Sequence, residues 1–223
     1  MKEIEAIIFD WDGTLCDSLH ATYVTYEKLF AKIGVELPEL EKFREEYECD
    51  YHSYYRKKNI GAERMDEVDG MWLKLFEEEA HNVSLYPSAK GVLASLKNAG
   101  IKMSIVSNGS SGRVKNELKK FGIDGYFVDV LGSVEIGEFK PSPQGLVRMM
   151  EKMGYEGGNG HAKKVAYVGD MVEDIHAGKR ASIRTVAVLT GYHSEKKLRG
   201  AEPDYVLAGV EGLPKLLGIE QKK

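Results

Sequence analysis

The chain has 223 residues, 43% of them hydrophobic, and a formal net charge of −4, enough for a buried core in a domain of about 150 residues with a smaller unit inserted. Its basic residues are spread along the sequence and offer no nucleic-acid footprint. No apolar run is long enough to span a bilayer, and Ala6-Ile7-Ile8-Phe9, followed at once by acids, is too short for a cleavable signal.

The first predicted strand, ending in Ala6-Ile7-Ile8, runs into Phe9-Asp10-Trp11-Asp12-Gly13-Thr14-Leu15. Two acids spaced one apart at a strand's carboxyl end project in the same general direction, where open α/β sheets place their ligands. One carboxylate can then act as a nucleophile while the other handles protons, provided a cation neutralises the charge that gathers there. Residues 17–33 read as a helix closed by Gly34, and residues 39–58 and 62–80 as further helices broken around Asn59-Ile60-Gly61. Little strand character returns until Leu85-Tyr86-Pro87, the pattern of an inserted helical cap over residues 16–85.

From Pro87 the predicted elements alternate. Helices over 87–99, 111–121, 142–153 and 172–181 interleave with strands over 101–107, 126–131, 164–169, 183–189 and 205–207. This order predicts an α/β fold: a doubly wound, parallel, Rossmann-like sheet built from residues 1–15 and 86–223, with helices on both faces.

Three later stretches carry chemistry-bearing residues. Met103-Ser104-Ile105-Val106 ends in Ser107, a candidate oxyanion donor, and Asn108-Gly109 allows a tight turn with backbone amides free for phosphate oxygens. In Phe139-Lys140-Pro141-Ser142-Pro143, the first proline biases Lys140 away from helix, and Ser142-Pro143 reads as a helix N-cap and first turn. Lys140 is a candidate phosphate clamp. Val165-Ala166-Tyr167-Val168 leads into Gly169-Asp170, with Asp174 at i, i+4 on the same face of the helix that starts there.

Taken in order, Asp10-x-Asp12-Gly13-Thr14, Ser107, Lys140 and Gly169-Asp170-x-x-x-Asp174 resemble the haloacid dehalogenase superfamily, and within it the phosphatases related to phosphoglycolate phosphatase. The resemblance spans nearly the whole chain. It implies that Asp10 forms an aspartyl-phosphate, while Asp12 protonates the leaving alcohol and then deprotonates water. It further implies Mg2+ held by Asp10, the Asp12 carbonyl and Asp170 in an oxygen-only shell. Asp174 either ligates the metal directly or, the favoured alternative, orients a metal-bound water. Thr14, Ser107, Lys140 and the amides near Asn108 and Gly109 would hold the phosphoryl oxygens of a small phosphomonoester. Dehalogenases of this fold usually lack the second aspartate, so Asp12 argues for phosphate chemistry.

Competing readings stay open. A phosphomutase of the β-phosphoglucomutase type would use the same aspartates, and a non-catalytic binding scaffold would not need them intact. An EF-hand fails because the glycine comes too early and a strand precedes the acids. The cluster Gly154, Gly157, Gly158 and Gly160 precedes a strand and reads as a connector on the sheet edge away from the aspartates. In the cap, the aromatic and basic stretch Tyr47–Lys58 reads as an amphipathic helix with a packed tyrosine face; the sharper alternative has Tyr54 or Arg56 reaching over the site and favouring a second anion. Six scattered histidines have no metal-binding i, i+4 partner and receive no catalytic role. The two cysteines, Cys16 and Cys49, lie outside any Cys-x-x-Cys arrangement, which excludes a zinc site and fits a reducing, cytoplasmic setting.

Overall fold

Alternate side chains of β1 (Ala6–Phe9) enter different cores: Ile7 and Phe9 join one cluster, Ala6 and Ile8 another. A strand buried on both faces reads as a continuous apolar run, which is why this four-residue segment lies in the middle of a parallel sheet. The structure, a computed structural model, describes residues 1, 3–155 and 160–219. After β1 come β2 (Cys16–Asp17) and four helices: α1 (Leu19–Ile33), α2 (Leu40–Glu46), α3 (Tyr51–Lys57) and α4 (Met65–Glu79). The chain returns through β3 (Ser84–Leu85), which pairs antiparallel with β2 so that the outgoing and incoming strands run side by side.

The rest alternates through α5 (Ala89–Asn98), β4 (Lys102–Val106), α6 (Ser111–Phe121), β5 (Val130–Leu131), α7 (Ser133–Ile136), α8 (Gln144–Met153), β6 (Val165–Gly169), α9 (Val172–Arg180), β7 (Arg184–Val188), α10 (Glu195–Gly200), β8 (Tyr205–Leu207) and α11 (Leu213–Leu217). The main sheet is parallel throughout, in the order β5-β4-β1-β6-β7-β8. The register sets Phe9 beside Ile105 and Val168, so Asp10, Ser107 and Asp170 leave the sheet at nearly the same height. They do so where strand order reverses about β1, the crevice in which such sheets bind ligands.

Helices α1 to α4 share a third core, centred on Tyr26, Phe30, Phe43, Tyr54, Tyr55 and Val68, to which Met171 and Tyr192 also belong. Tyr26 is its hub, with ring centroids 5.4 to 6.2 Å from Phe30, Phe43, Tyr54, Tyr55 and Trp72.

Some elements differ from the sequence reading. The helix expected over 39–58 is two helices, because Tyr47 turns extended and the Asp50 carboxylate caps a new start by accepting from Ser53 N at 3.2 Å. The strand expected over 126–131 shrinks to two residues, preceded by a helical turn at Asp124–Tyr126. Of the glycine cluster, Gly154 ends α8 and Gly160 lies before the amino end of β6, both at positive φ; Gly157 and Gly158 lie outside the described residues. No helix among the described residues is long and apolar enough to cross a membrane.

Candidate active site

Three carboxylates and an ammonium meet at the carboxyl ends of β1 and β6. Asp10 follows β1 directly and is anchored by its amide, which donates to the Val168 carbonyl at 2.8 Å. Asp170 follows β6, and Asp174 stands in the first turn of α9. One oxygen from each of Asp10, Asp170 and Asp174 lies within 4.8 Å of the others, and all three side chains are buried. Gly13 turns back over this cluster at φ 77°, a left-handed conformation in which a Cβ would run into the Asp170 carboxylate.

Lys140 reaches the same point from the loop before α8. Its Nζ donates to Asp10 Oδ1 at 2.7 Å, Asp174 Oδ1 at 2.6 Å and the Tyr167 hydroxyl at 3.1 Å, which uses all three of its donors. Asp174 is equally saturated. Its Oδ2 accepts from the amides of Asp170 at 3.1 Å and Met171 at 2.9 Å, and its Oδ1 also faces the Tyr167 hydroxyl at 3.0 Å. That geometry ties the start of α9 to Lys140. Asp170 accepts from the Thr14 hydroxyl at 2.8 Å and the Tyr192 amide at 2.7 Å.

Burial raises the Asp10 carboxyl to about 7: loss of water, with help from Asp174 and Asp12, prevails over the attraction of Lys140. Asp170 is likewise pushed well above the carboxylate range, by burial first and then by Asp10 and Asp174. Burial works against the Lys140 ammonium, yet Asp10 and Asp174 hold it protonated. Three acids against one ammonium leave the cluster with surplus negative charge when all are ionised, and every donor is a hard oxygen. A divalent cation of the Mg2+ class fits both properties.

Asp12 lies to one side. Both its oxygens accept from the Arg113 guanidinium, Oδ1 at 3.1 Å and Oδ2 in a closer pairing, a bidentate fork. Arg113 also donates to Glu117 at 3.2 Å, and Trp11 Nε1 donates to Glu117 at 2.5 Å, so residues from β1's end and α6 interlock around Asp12. Burial opposes charge on Arg113, but Asp12 and Glu117 keep it firmly protonated.

Asp10, Asp12, Ser107, Asn108, Gly109 and Lys140 line one cavity of about 330 Å3, roofed by α1, α3 and α4. The Ser107 hydroxyl accepts from the Gly109 amide at 3.0 Å, which leaves its own proton free for a ligand among the described residues. Asn108 is occupied: its amide oxygen accepts from Lys140 N at 3.0 Å and its amide nitrogen donates to the Cys49 carbonyl at 3.2 Å. Thr14, expected at the phosphate, is fully buried with its hydroxyl on Asp170 and does not line the cavity. Neither do Tyr54 and Arg56: Tyr54 packs in the helical core, and Arg56 is exposed and paired with Asp50 at 3.0 Å.

Four contributors escaped the sequence reading. Arg113 and Glu117 are visible there only as an i, i+4 pair, indistinguishable from a solvated helix face. Tyr167 reads as one more apolar strand residue. His193, one of the histidines given no role, accepts from Val172 N at 3.0 Å and shares a 3.0 Å bond with the Tyr47 carbonyl, joining the amino end of α9 to the helical segment. Burial lowers its pKa to about 4, so the ring is neutral at physiological pH.

Comparison with known proteins agrees with this geometry. The model of the haloacid dehalogenase-like hydrolases matches residues 7–188. A phosphoglycolate phosphatase of Aquifex aeolicus is 31% identical over 96% of this chain and 97% of its own, and one of Vibrio vulnificus is 30% identical over 98% and 96%. A haloacid dehalogenase-like hydrolase from Streptococcus pneumoniae superposes with a TM-score of 0.84 over 97% of this chain and 99% of its own, at 18% identity, a likeness of fold. The chain therefore belongs to the haloacid dehalogenase-like hydrolase family. It is an enzyme of the phosphoglycolate phosphatase-like branch.

Proposed function

We propose that this phosphatase hydrolyses small phosphomonoesters through an aspartyl-phosphate on Asp10, with Mg2+ held by Asp10, Asp170 and the Asp12 carbonyl. The observation that carries the reading is the meeting of Asp10, Asp170 and Asp174 within 4.8 Å, with Asp10 lining a cavity that Asp12 and Ser107 also line. Mg2+, when bound, supplies positive charge to the phosphoryl oxygens and to the crowded carboxylates. Asp10 attacks phosphorus, the bond from phosphorus to the alcohol oxygen breaks, and Asp12 gives that oxygen its proton. Water then attacks the aspartyl-phosphate, its proton passes to Asp12, and inorganic phosphate leaves with Asp10 restored.

In the arrangement described, both Asp12 oxygens accept from Arg113, so delivering a proton requires one of these bonds to open. Ser107 supplies a free hydroxyl proton to the transferring group. Asp174, with both oxygens already satisfied, orients Lys140 and the Asp170 backbone. We assign residues 16–85 to a cap, because their helices gather around one aromatic cluster, closed on the sheet side by Met171 and Tyr192, and the segment leaves and returns through the paired strands β2 and β3; seated on the cavity, they keep bulk water from the intermediate. Two free cysteines suit a reducing cytoplasm, where we place the enzyme. The relatives' phosphatase names favour water over a rebound sugar phosphate as the acceptor. Asp10→Asn should abolish Mg2+-dependent phosphate release from an aryl phosphate; unchanged turnover would refute the nucleophile.

A further inference from the structure

The acidic cluster and the cap meet on one peptide group. After β7 the chain passes from Thr190 to His193 with Asp170 on one side and the cap helices on the other. Gly191 is pressed against Asp170: a Cβ there would come within 2.0 Å of Oδ2 and 2.7 Å of the Asp170 Cβ, so no larger residue fits. On this side the Tyr192 amide donates to Asp170 Oδ2 at 2.7 Å, and the Thr190 hydroxyl donates to the Gly13 carbonyl at 2.8 Å. On the other side Arg44 of α2 donates to two successive carbonyls, to Gly191 O from Nη2 at 3.0 Å and to Tyr192 O from Nε at 3.1 Å. Its remaining charged contact, Glu41 at 3.5 Å, is 82% exposed and contributes little.

The Gly191 carbonyl and the Tyr192 amide are the two ends of a single planar peptide group. A continuous path therefore runs from the Arg44 guanidinium to a carbonyl, through the peptide to its N–H, and on to the Asp170 carboxylate. A cation on the carbonyl polarises the peptide and strengthens its donation to the anion beyond, and hydrogen bonds with an ionised partner are the strong ones. The cap holds this segment elsewhere too. The Tyr192 hydroxyl shares a 2.8 Å bond with Thr22 of α1, its ring stacks on Tyr47 with centroids 5.2 Å apart, and His193 shares a 3.0 Å bond with the Tyr47 carbonyl. Only Arg44, among these, bonds to the peptide that carries the Asp170 contact.

The geometry points to Arg44 as a positioning residue that couples seating of the cap to cation binding at Asp170. With its fork made, the Tyr192 amide holds one Asp170 oxygen and the Thr14 hydroxyl the other, so the carboxylate is fixed before a cation arrives. When the cap lifts, the fork breaks and the peptide is free to turn, and the carboxylate with it. Linkage makes the effect reciprocal: whatever factor cap seating adds to cation affinity, the cation adds to cap seating, and such couplings run from about 5- to 150-fold.

This coupling rests on the reading of Asp170 as a metal ligand, and the measurements keep the two apart. Calorimetric titration of substrate-free protein with MgCl2 should give a Kd raised about tenfold in Arg44→Met. Arg44→Lys, which keeps the charge but not the fork, should fall between that value and the wild type. Arg56→Met removes a cap cation that is exposed and paired with Asp50, and should stay within about twofold of the wild type. In the wild-type protein, where no variant is needed, saturating Mg2+ should slow hydrogen exchange of the α2 amides about tenfold, and Arg44→Met should lose most of that protection. Unchanged Mg2+ affinity in Arg44→Met, or wild-type exchange indifferent to Mg2+, overturns the coupling and leaves the metal site standing. Mg2+ binding unaltered by Asp170→Asn overturns the metal reading, and the coupling with it.

Discussion

Replacing Lys140 by methionine tests the electrostatics on which the site depends. Methionine fills the volume of the lysine stem, so the main loss is the ammonium and its bonds to Asp10, Asp174 and Tyr167. Breaking a buried ion pair from one side costs about 3–5 kcal/mol, because the remaining charge has neither water nor partner. Here the cost should depend on pH. With Lys140 in place the Asp10 carboxyl titrates at about 7; without the ammonium it titrates higher. At about pH 6 Asp10 is largely protonated in both proteins, and the deficit is chiefly the Lys140–Asp174 pair, about 3 kcal/mol. Above about pH 7 the wild-type protein has released a proton that the variant retains, so the variant loses a further 1.4 kcal/mol or so per pH unit until its own carboxyl ionises. Urea unfolding of metal-free protein at about pH 6 and pH 8 measures both terms. A deficit under about 1 kcal/mol at both pH values, or one that shrinks from pH 6 to pH 8, would refute the pairing.

Arg113→Lys keeps a charge but loses the fork on Asp12, and should lower kcat about tenfold with KM changed much less, read from steady-state hydrolysis of an aryl phosphate; a change in KM alone would remove Arg113 from the positioning of Asp12. His193 gives an acid-sensitive component of stability. Its folded pKa near 4 lies below the unfolded value of about 6.5, so the unfolded chain takes up the proton first, and the contribution, at most about 3 kcal/mol, is present above pH 6.5 and lost as pH falls towards 4. Asp10, raised in the fold, acts with the opposite sign in part of this range, so the term is read as the difference from His193→Asn, whose amide oxygen can replace the ring acceptor. Urea midpoints of the two proteins that stay parallel from pH 7 to pH 4 would remove it.

Much of the candidate site was legible in the sequence. Asp10, Ser107 and Asp170 each follow a short apolar strand, and in a parallel α/β sheet the carboxyl ends of neighbouring strands converge, so local pattern implied shared location; Lys140 joins them from the loop before α8. The helix closed by Gly34 was legible for a similar reason, since a glycine at φ 72° is a local stop signal. The break at Asp50 had a local cause too, a capping carboxylate, but tyrosine-rich periodicity on either side concealed it.

What the chain determined by itself was the α/β alternation and the identity of the groups at the strand ends, because strand period, helix period and end signals act over a few neighbouring residues. Tertiary structure alone decided where those groups turn. It sent the Thr14 hydroxyl to Asp170, saturated Lys140 and Asp174 with each other, put Arg113 on Asp12, and set Asp69 and Trp72 rather than Arg56 at the cavity. Each of these pairings joins positions far apart in the chain or selects one face of a helix, and burial fixes the choice: once water is excluded, a charge must find whichever partner the packed elements bring within reach.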